Sequence, residues 1–210
     1  MQRPTISPEI MHLMAPGLRT LQPYVPGKPL SELEREYGLS ASIKLASNEN
    51  PLGPGLLARQ AIAASLKEIG LYPDGGGFDL KAKLASHHGV TPECITLGNG
   101  SNDLLVMLAE AFLTIDTEAV YSQYGFAVYP LVVQATGAIA RVASALPEGH
   151  AMALGHDLAA LAQLVTPRTR LVFIANPNNP TGTWLDGASL RDFVRRSEEH
   201  TSELQSQNRI

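Results

Sequence analysis

Between Cys94 and Asn176, short apolar runs alternate with longer segments whose apolar residues recur near the helical period. This alternation constrains the fold more than any other feature of the 210-residue chain. "CITLGNG", "EAVYSQY", "AIARVA" and "RLVFIAN" read as strands running into turns, and "SNDLLVMLAEAFL", "GFAVYPLVVQATG" and "DLAALAQLV" read as helices between them. Strand, helix and strand in succession call for right-handed crossovers. The expected class is therefore α/β, a mostly parallel sheet with helices on both faces. In the longest helix Ser101 is placed to cap, while Leu104, Leu105, Leu108, Ala111 and Phe112 share a face.

Upstream the chain is rich in proline and turns. "LQPYVPGKPL" is expected to be extended, because each proline biases its predecessor away from helix. "PLSELEREYG" predicts one short helix, with Ser31 as N-cap, Glu34 three residues on and Gly38 as terminator. "LLARQAIAASLKEIG" and "FDLKAKLASHHG" are further helices, ending at Gly70 and Gly89. The organisation expected is an N-terminal arm with a short helix over 1–47, a large α/β domain over 48–195 and a tail over 196–210. From Arg196, "RSEEHTSELQS" has no apolar face. It matches the in-frame translation of a common sequencing-library adapter, so natural sequence is expected to stop near Arg195.

Composition excludes several classes of function. With 44% apolar and 17% charged residues the chain reads as globular, not disordered or fibrous. A net charge of -4 without a Lys/Arg cluster speaks against nucleic acid. No run approaches the roughly 18 apolar residues of a membrane span, and the start lacks a secretory apolar core, so a cytoplasmic protein is expected. Cys94 is the single cysteine, which rules out an intrachain disulfide or a multi-thiolate metal site. Heading the apolar "CITL", it reads as a buried structural thiol. The histidines show no metal-ligand spacing.

Ligands of an open parallel sheet collect at the carboxyl ends of its strands, and three unusual loops fall there. In "LGNGSND", Gly98 and Gly100 allow close backbone approach, and Ser101 and Asn102 open a helix whose free N–H groups favour an anion such as phosphate. The loop lacks a Walker lysine, and Asp103 stands where a dinucleotide fingerprint needs glycine; an ordinary capped turn is the competing reading. In "SQYGFAVY", Tyr124 lies between a strand end and a helix, where its ring can stack on a planar ligand. Tyr124 and Tyr129 serve equally well as core. In "NPNNPTG", Pro177 and Pro180 fix the backbone while Asn176, Asn178 and Asn179 offer amides. A merely rigid loop is the plainer alternative, and its X-Pro bonds admit a cis peptide.

Taken together these segments resemble the fold-type I pyridoxal-phosphate-dependent aminotransferases, and within them the histidinol-phosphate aminotransferases. The likeness runs over residues 18–195 through "LQPYVPGKPLSELEREYG", "IKLASNENPLGP", "YPDGGGFDLKAKLASHHGV", "ITLGNGSNDLL", "YSQYGFAVYP" and "ANPNNPTG". "NPTG" alone indicates the superfamily, and the ordered set indicates the subfamily. The resemblance implies the cofactor pyridoxal 5'-phosphate and amino transfer from glutamate to imidazole-acetol phosphate in histidine biosynthesis. It implies that Ser101 and Asn102 cradle the cofactor phosphate, Tyr124 stacks on its ring and Asn179 bonds its phenolic oxygen. Tyr72 matches a tyrosine reaching the phosphate in the neighbouring subunit of a homodimer. Tyr24 and Asn48 match the substrate side.

One departure stands out. The family uses a Schiff-base lysine well after "NPTG", whereas Lys28, Lys44, Lys67, Lys81 and Lys83 all precede it. The aspartate that pairs with the pyridinium nitrogen and the substrate-binding arginine have no match either. The chain is therefore expected to be an inactive N-terminal half, poorly soluble alone because strand edges are left open. Three other readings stay open: threonine-phosphate decarboxylase, an aromatic aminotransferase, or a non-catalytic module that binds a phosphorylated ligand.

Overall fold

The computed structural model describes residues 8–24, 27–45 and 47–200. They fall into two compact units, one of residues 25–95 and one of residues up to 24 together with those from 96 onward. Helix α1 spans Pro8–Leu13, α2 Leu30–Tyr37, α3 Leu56–Ser65, α4 Phe78–His88 and α5 Ser101–Phe112. Strand β1 (Glu118–Ser122), α6 (Val128–Thr136), β2 (Ile139–Ala143), α7 (Leu158–Leu164), β3 (Thr169–Phe173) and α8 (Gly187–His200) follow. No helix among the described residues is long and apolar enough to cross a membrane. The adapter-like tail begins inside α8, and its residues 201–210 lie outside the described residues.

The strands form a parallel sheet in the order β2-β1-β3. All five residues of the central strand are buried, as a strand covered on both faces requires. Alternate residues supply two cores. Ala119, Tyr121 and Phe173 pack with Ala109 of α5, with Leu113 just beyond it, and with Val128, Tyr129, Val132 and Val133 of α6. On the opposite face Val120 and Ala143 pack with Leu161, Val165 and Phe193, under α7 and α8. The expected α/β class with helices on both faces is the fold observed. Helix α7 starts as its sequence dictates, with Asp157 Oδ1 accepting from the N–H groups of Ala159 (2.9 Å) and Ala160 (3.0 Å).

In the unit of residues 25–95, Ala85 is the one buried residue among those described. Gly38 and Gly89 end α2 and α4 in the left-handed conformation, φ 64° and 66°.

Several sequence expectations are corrected. Ser31 lies inside α2, which Pro29 opens: its carbonyl accepts from Glu32 and Leu33 N–H, both at 3.1 Å. Ser101 is the first helical residue of α5, not its cap; Gly100 precedes it and no side chain caps that end. The core side of α5 runs through half-buried Leu105 and buried Ala109 to Leu113 just past its end, while Leu108 and Phe112 are exposed. "CITLGNG" is no strand: Ile95 is extended, but no neighbouring strand among the described residues pairs with this segment. Cys94 is exposed: it ends a 3-10 turn, Pro92–Cys94, in a unit that buries little, and its Sγ lies 3.7 Å from Thr91 Oγ1.

Candidate functional site

After β1 the chain crosses to α6 on one face, and after β3 it crosses to α8 on the other. Between the adjacent strands β1 and β3 the connections therefore diverge, and their carboxyl ends are the position at which an open α/β sheet binds ligands. Two of the three loops singled out in the sequence leave those strand ends.

The loop after β1 is a tight turn in which Gly125 N–H donates to the Ser122 carbonyl at 2.9 Å. A Cβ on Gly125 would lie 3.0 Å from both that carbonyl oxygen and Tyr129 Cδ2, so any side chain there would have to push the turn or the Tyr129 ring aside by a few tenths of an ångström. Tyr124 sits on this turn, 39% exposed. Tyr129 instead is core: its ring stacks on Phe173 at 4.8 Å and meets Phe126 edge-on at 6.0 Å. Burial raises its phenol pKa.

In the loop after β3 both X-Pro bonds, Asn176–Pro177 and Asn179–Pro180, are cis. Its three asparagines have different duties. Asn176 Nδ2 donates to the Leu185 carbonyl (2.9 Å) and its Oδ1 accepts from Leu185 N–H (2.8 Å), so the side chain acts as one rung of a ladder. Asn178 is 3% exposed and its Nδ2 donates to the Tyr124 carbonyl (2.9 Å) and to Thr181 Oγ1 (2.8 Å). Its backbone N–H donates to the Thr183 carbonyl at 2.7 Å, and its carbonyl accepts from Gly182 N–H at 2.8 Å. Asn179 is exposed, and its amide bonds no other described residue. Of the three, only Asn179 is free for a ligand.

The third loop leads into α5. Residues 113–117 alone join the end of α5 to Glu118, so its last turn lies at the amino end of β1. A helix of this length rises about 18 Å, enough to carry its first turn along a strand of about 17 Å to the other end of the sheet. Leu105, one turn in, packs on the core that covers this face of the sheet. Ser101 and Asn102 are exposed, their side chains bond no other described residue, and the first N–H groups of a helix have no intrahelical acceptor. Gly100 has φ 80°, and a Cβ on Gly98 would lie 3.1 Å from Asp103 Cβ and Leu104 Cδ2. Asp103 Oδ2 accepts from Asn99 N–H at 2.9 Å and closes the loop.

Tyr124 and Asn179 are thus brought onto adjoining loops, with Ser101 and Asn102 at the same end of the sheet. Tyr24 is exposed in the same unit, whereas Asn48 and Tyr72 are exposed in the unit of residues 25–95.

Sequence reasoning missed three groups. His156 is 4% exposed, and its Nε2 lies 3.1 Å from the Ala175 carbonyl; a carbonyl only accepts, so Nε2 carries the proton. Burial lowers its pKa against the bond to Ala175, and Nδ1 is buried without a partner. Asn178 was seen as one of three equivalent amides. At the far end of β1, Glu118 is wholly buried and accepts from Arg141 Nη2 (2.8 Å), Arg168 Nη2 (2.6 Å) and Thr166 Oγ1 (2.8 Å). Its carboxyl is held below the usual range, first by the bond from Arg141, then by Thr166 and both guanidinium charges, against its burial. An acidic residue at the head of an apolar run was the signal available.

A profile of the family described as aminotransferase class I and II matches residues 40–204. The chain is 51% identical over 191 residues to histidinol-phosphate aminotransferase 2 of Methylococcus capsulatus, covering 91% of this chain and 52% of that protein. It is likewise 51% identical over 191 residues to histidinol-phosphate aminotransferase 1 of Nitrosococcus oceani, covering 90% and 49%. The chain spans about half the length of the curated relatives it matches. Among solved structures, histidinol-phosphate aminotransferase from Sinorhizobium meliloti in complex with pyridoxal-5'-phosphate superposes with a TM-score of 0.74 at 26% identity, over 90% of this chain and 49% of that one. A single-mutant aspartate aminotransferase of Thermus thermophilus shares the fold, with a TM-score of 0.72 at 22% identity over 89% and 50%. The chain belongs to the aminotransferase class I and II family.

Proposed function

We propose that this chain is the cofactor-cradling portion of a pyridoxal-phosphate-dependent histidinol-phosphate aminotransferase of histidine biosynthesis, acting between glutamate and imidazole-acetol phosphate. The observation that carries the reading is the 2.9 Å bond from Asn178 to the Tyr124 carbonyl, which joins an aromatic platform to a loop with one uncommitted amide. The donor set fits the cofactor. Ser101 and Asn102 offer free N–H groups, a hydroxyl and a helix dipole to a phosphate. Tyr124 offers a ring face to a pyridine, and the Asn179 amide can donate to its phenolic oxygen. When bound, pyridoxal phosphate supplies the electron sink through which an amino group passes between substrates. These residues hold and orient it; none of them moves a proton.

On the same reading Tyr24 and Asn48 face substrate, and Tyr72 reaches the cofactor phosphate of a second subunit in a homodimer. The chain has no lysine after Lys83, so it holds the cofactor without a covalent bond at this site and does not transaminate alone. Titration with pyridoxal phosphate, followed by visible absorption and circular dichroism, tests this. Saturable optical activity with the absorption of a free aldehyde is expected, with no turnover of glutamate and imidazole-acetol phosphate. Absence of saturable binding, or turnover by the chain alone, would overturn it.

A further inference from the structure

We propose that Asn178 is a positioning residue that sets the gap between the Tyr124 ring and the Asn179 amide; this rests on the cofactor reading above. Tyr124 and Asn178 lie on loops that leave adjacent strands toward opposite faces, so the β1–β3 ladder fixes their separation only as far as Tyr121 and Phe173, and Gln123 N–H bonds the other neighbour, Ala143 of β2, at 2.9 Å. The Asn178 side chain spans that divergence. A carbonyl oxygen can only accept, so the atom facing Tyr124 O is the amide nitrogen. Its second N–H goes to Thr181 Oγ1, which in turn lies 2.7 Å from Thr183 Oγ1. Both backbone groups of Asn178 are used within its own loop, to Thr183 and Gly182. The residue is therefore rigidly seated in the Asn179 loop, and its side chain fixes the Tyr124 turn to that seat. Asn178 Oδ1 is buried without a partner, so bonding the Tyr124 and Thr181 oxygens leaves the other half of the amide unsatisfied. Asn178 touches neither ring nor phosphate in this account: it acts through Tyr124.

The test uses the full chain, titrated with pyridoxal phosphate and read by the circular dichroism of the bound chromophore. In Asn178→Asp the donor becomes a second acceptor against the Tyr124 carbonyl; in Asn178→Ser the side chain is too short to reach it. Each is expected to weaken binding about tenfold, the size of a lost buried hydrogen bond, and to reduce the induced signal at saturation. In a Tyr124→Ala background the same substitutions are expected to change affinity less than about twofold, because coupled residues are non-additive. Equal losses in both backgrounds would overturn the proposal. So would unchanged binding by the variants, or variants that fail to fold without cofactor, since Asn178 would then serve stability alone. If the parent chain gives no saturable signal, the cofactor reading itself fails, and this inference with it.

Discussion

At the amino end of β1, the buried carboxylate of Glu118 meets Arg141, Arg168 and Thr166, and its charge is matched; at the carboxyl end, Ser122 Oγ and Asn178 Oδ1 are buried with no partner among the described residues. His156 Nδ1, against the residue before the Asn176 loop, is left in the same condition. Arg141 Nε is the exception at the amino end, on a side chain that is 39% exposed. Both ends of one sheet carry buried polar groups, yet only one closes them on each other. A closed cluster specifies structure, while at the carboxyl end buried polar groups stay unsatisfied beneath the Tyr124 and Asn179 loops.

The sharpest way to break this contrast is at Glu118. Glu118→Gln is expected to cost about 2 kcal/mol in urea unfolding, by weakening charge-assisted bonds, while leaving the affinity for pyridoxal phosphate unchanged. A change in affinity without a change in stability would invert the assignment of the two ends. Asn179→Ala should do the opposite: about tenfold weaker cofactor binding, with stability altered by less than about 0.5 kcal/mol.

Acid should separate the ends by pH. His156 is held neutral by burial, so its contribution is complete above its unfolded pKa of about 6.5 and is lost as pH falls below that value. Glu118 has a lowered folded pKa, so its contribution is complete above its unfolded value of about 4.3 and is lost as pH falls through the folded one. Urea midpoints measured from pH 7 downward should fall in two stages, and His156→Gln should remove the upper one. The smallest effect is expected at the Tyr124 hydroxyl, which bonds no other described residue. Tyr124→Phe should keep cofactor affinity within about twofold, since the ring face is retained.

Much of this was legible in the sequence, and the losses have a common cause. Strands β1, β2 and β3 and helices α6 and α7 could be read because period and turn residues are local properties. "CITLGNG" could not, since extended backbone becomes a strand only when a neighbour pairs with it. Cys94 was misjudged for the same reason: burial depends on what packs above a residue, which its flanking sequence does not reveal. The loop with three asparagines was located from its prolines, but its division of labour was hidden. Asn178 is distinguished from Asn179 by a bond to a residue 54 positions away. Glu118 likewise finds Arg141 and Arg168 at separations of 23 and 50 residues.

Backbone amide chemical shifts recorded while pyridoxal phosphate is added to the full chain test the central claim most directly. The account predicts saturable shifts at Ser101, Asn102, Tyr124 and Asn179, with Glu118, Arg141 and Arg168 unmoved. Shifts centred on the Glu118 cluster, or none at the carboxyl ends of β1 and β3, would contradict it.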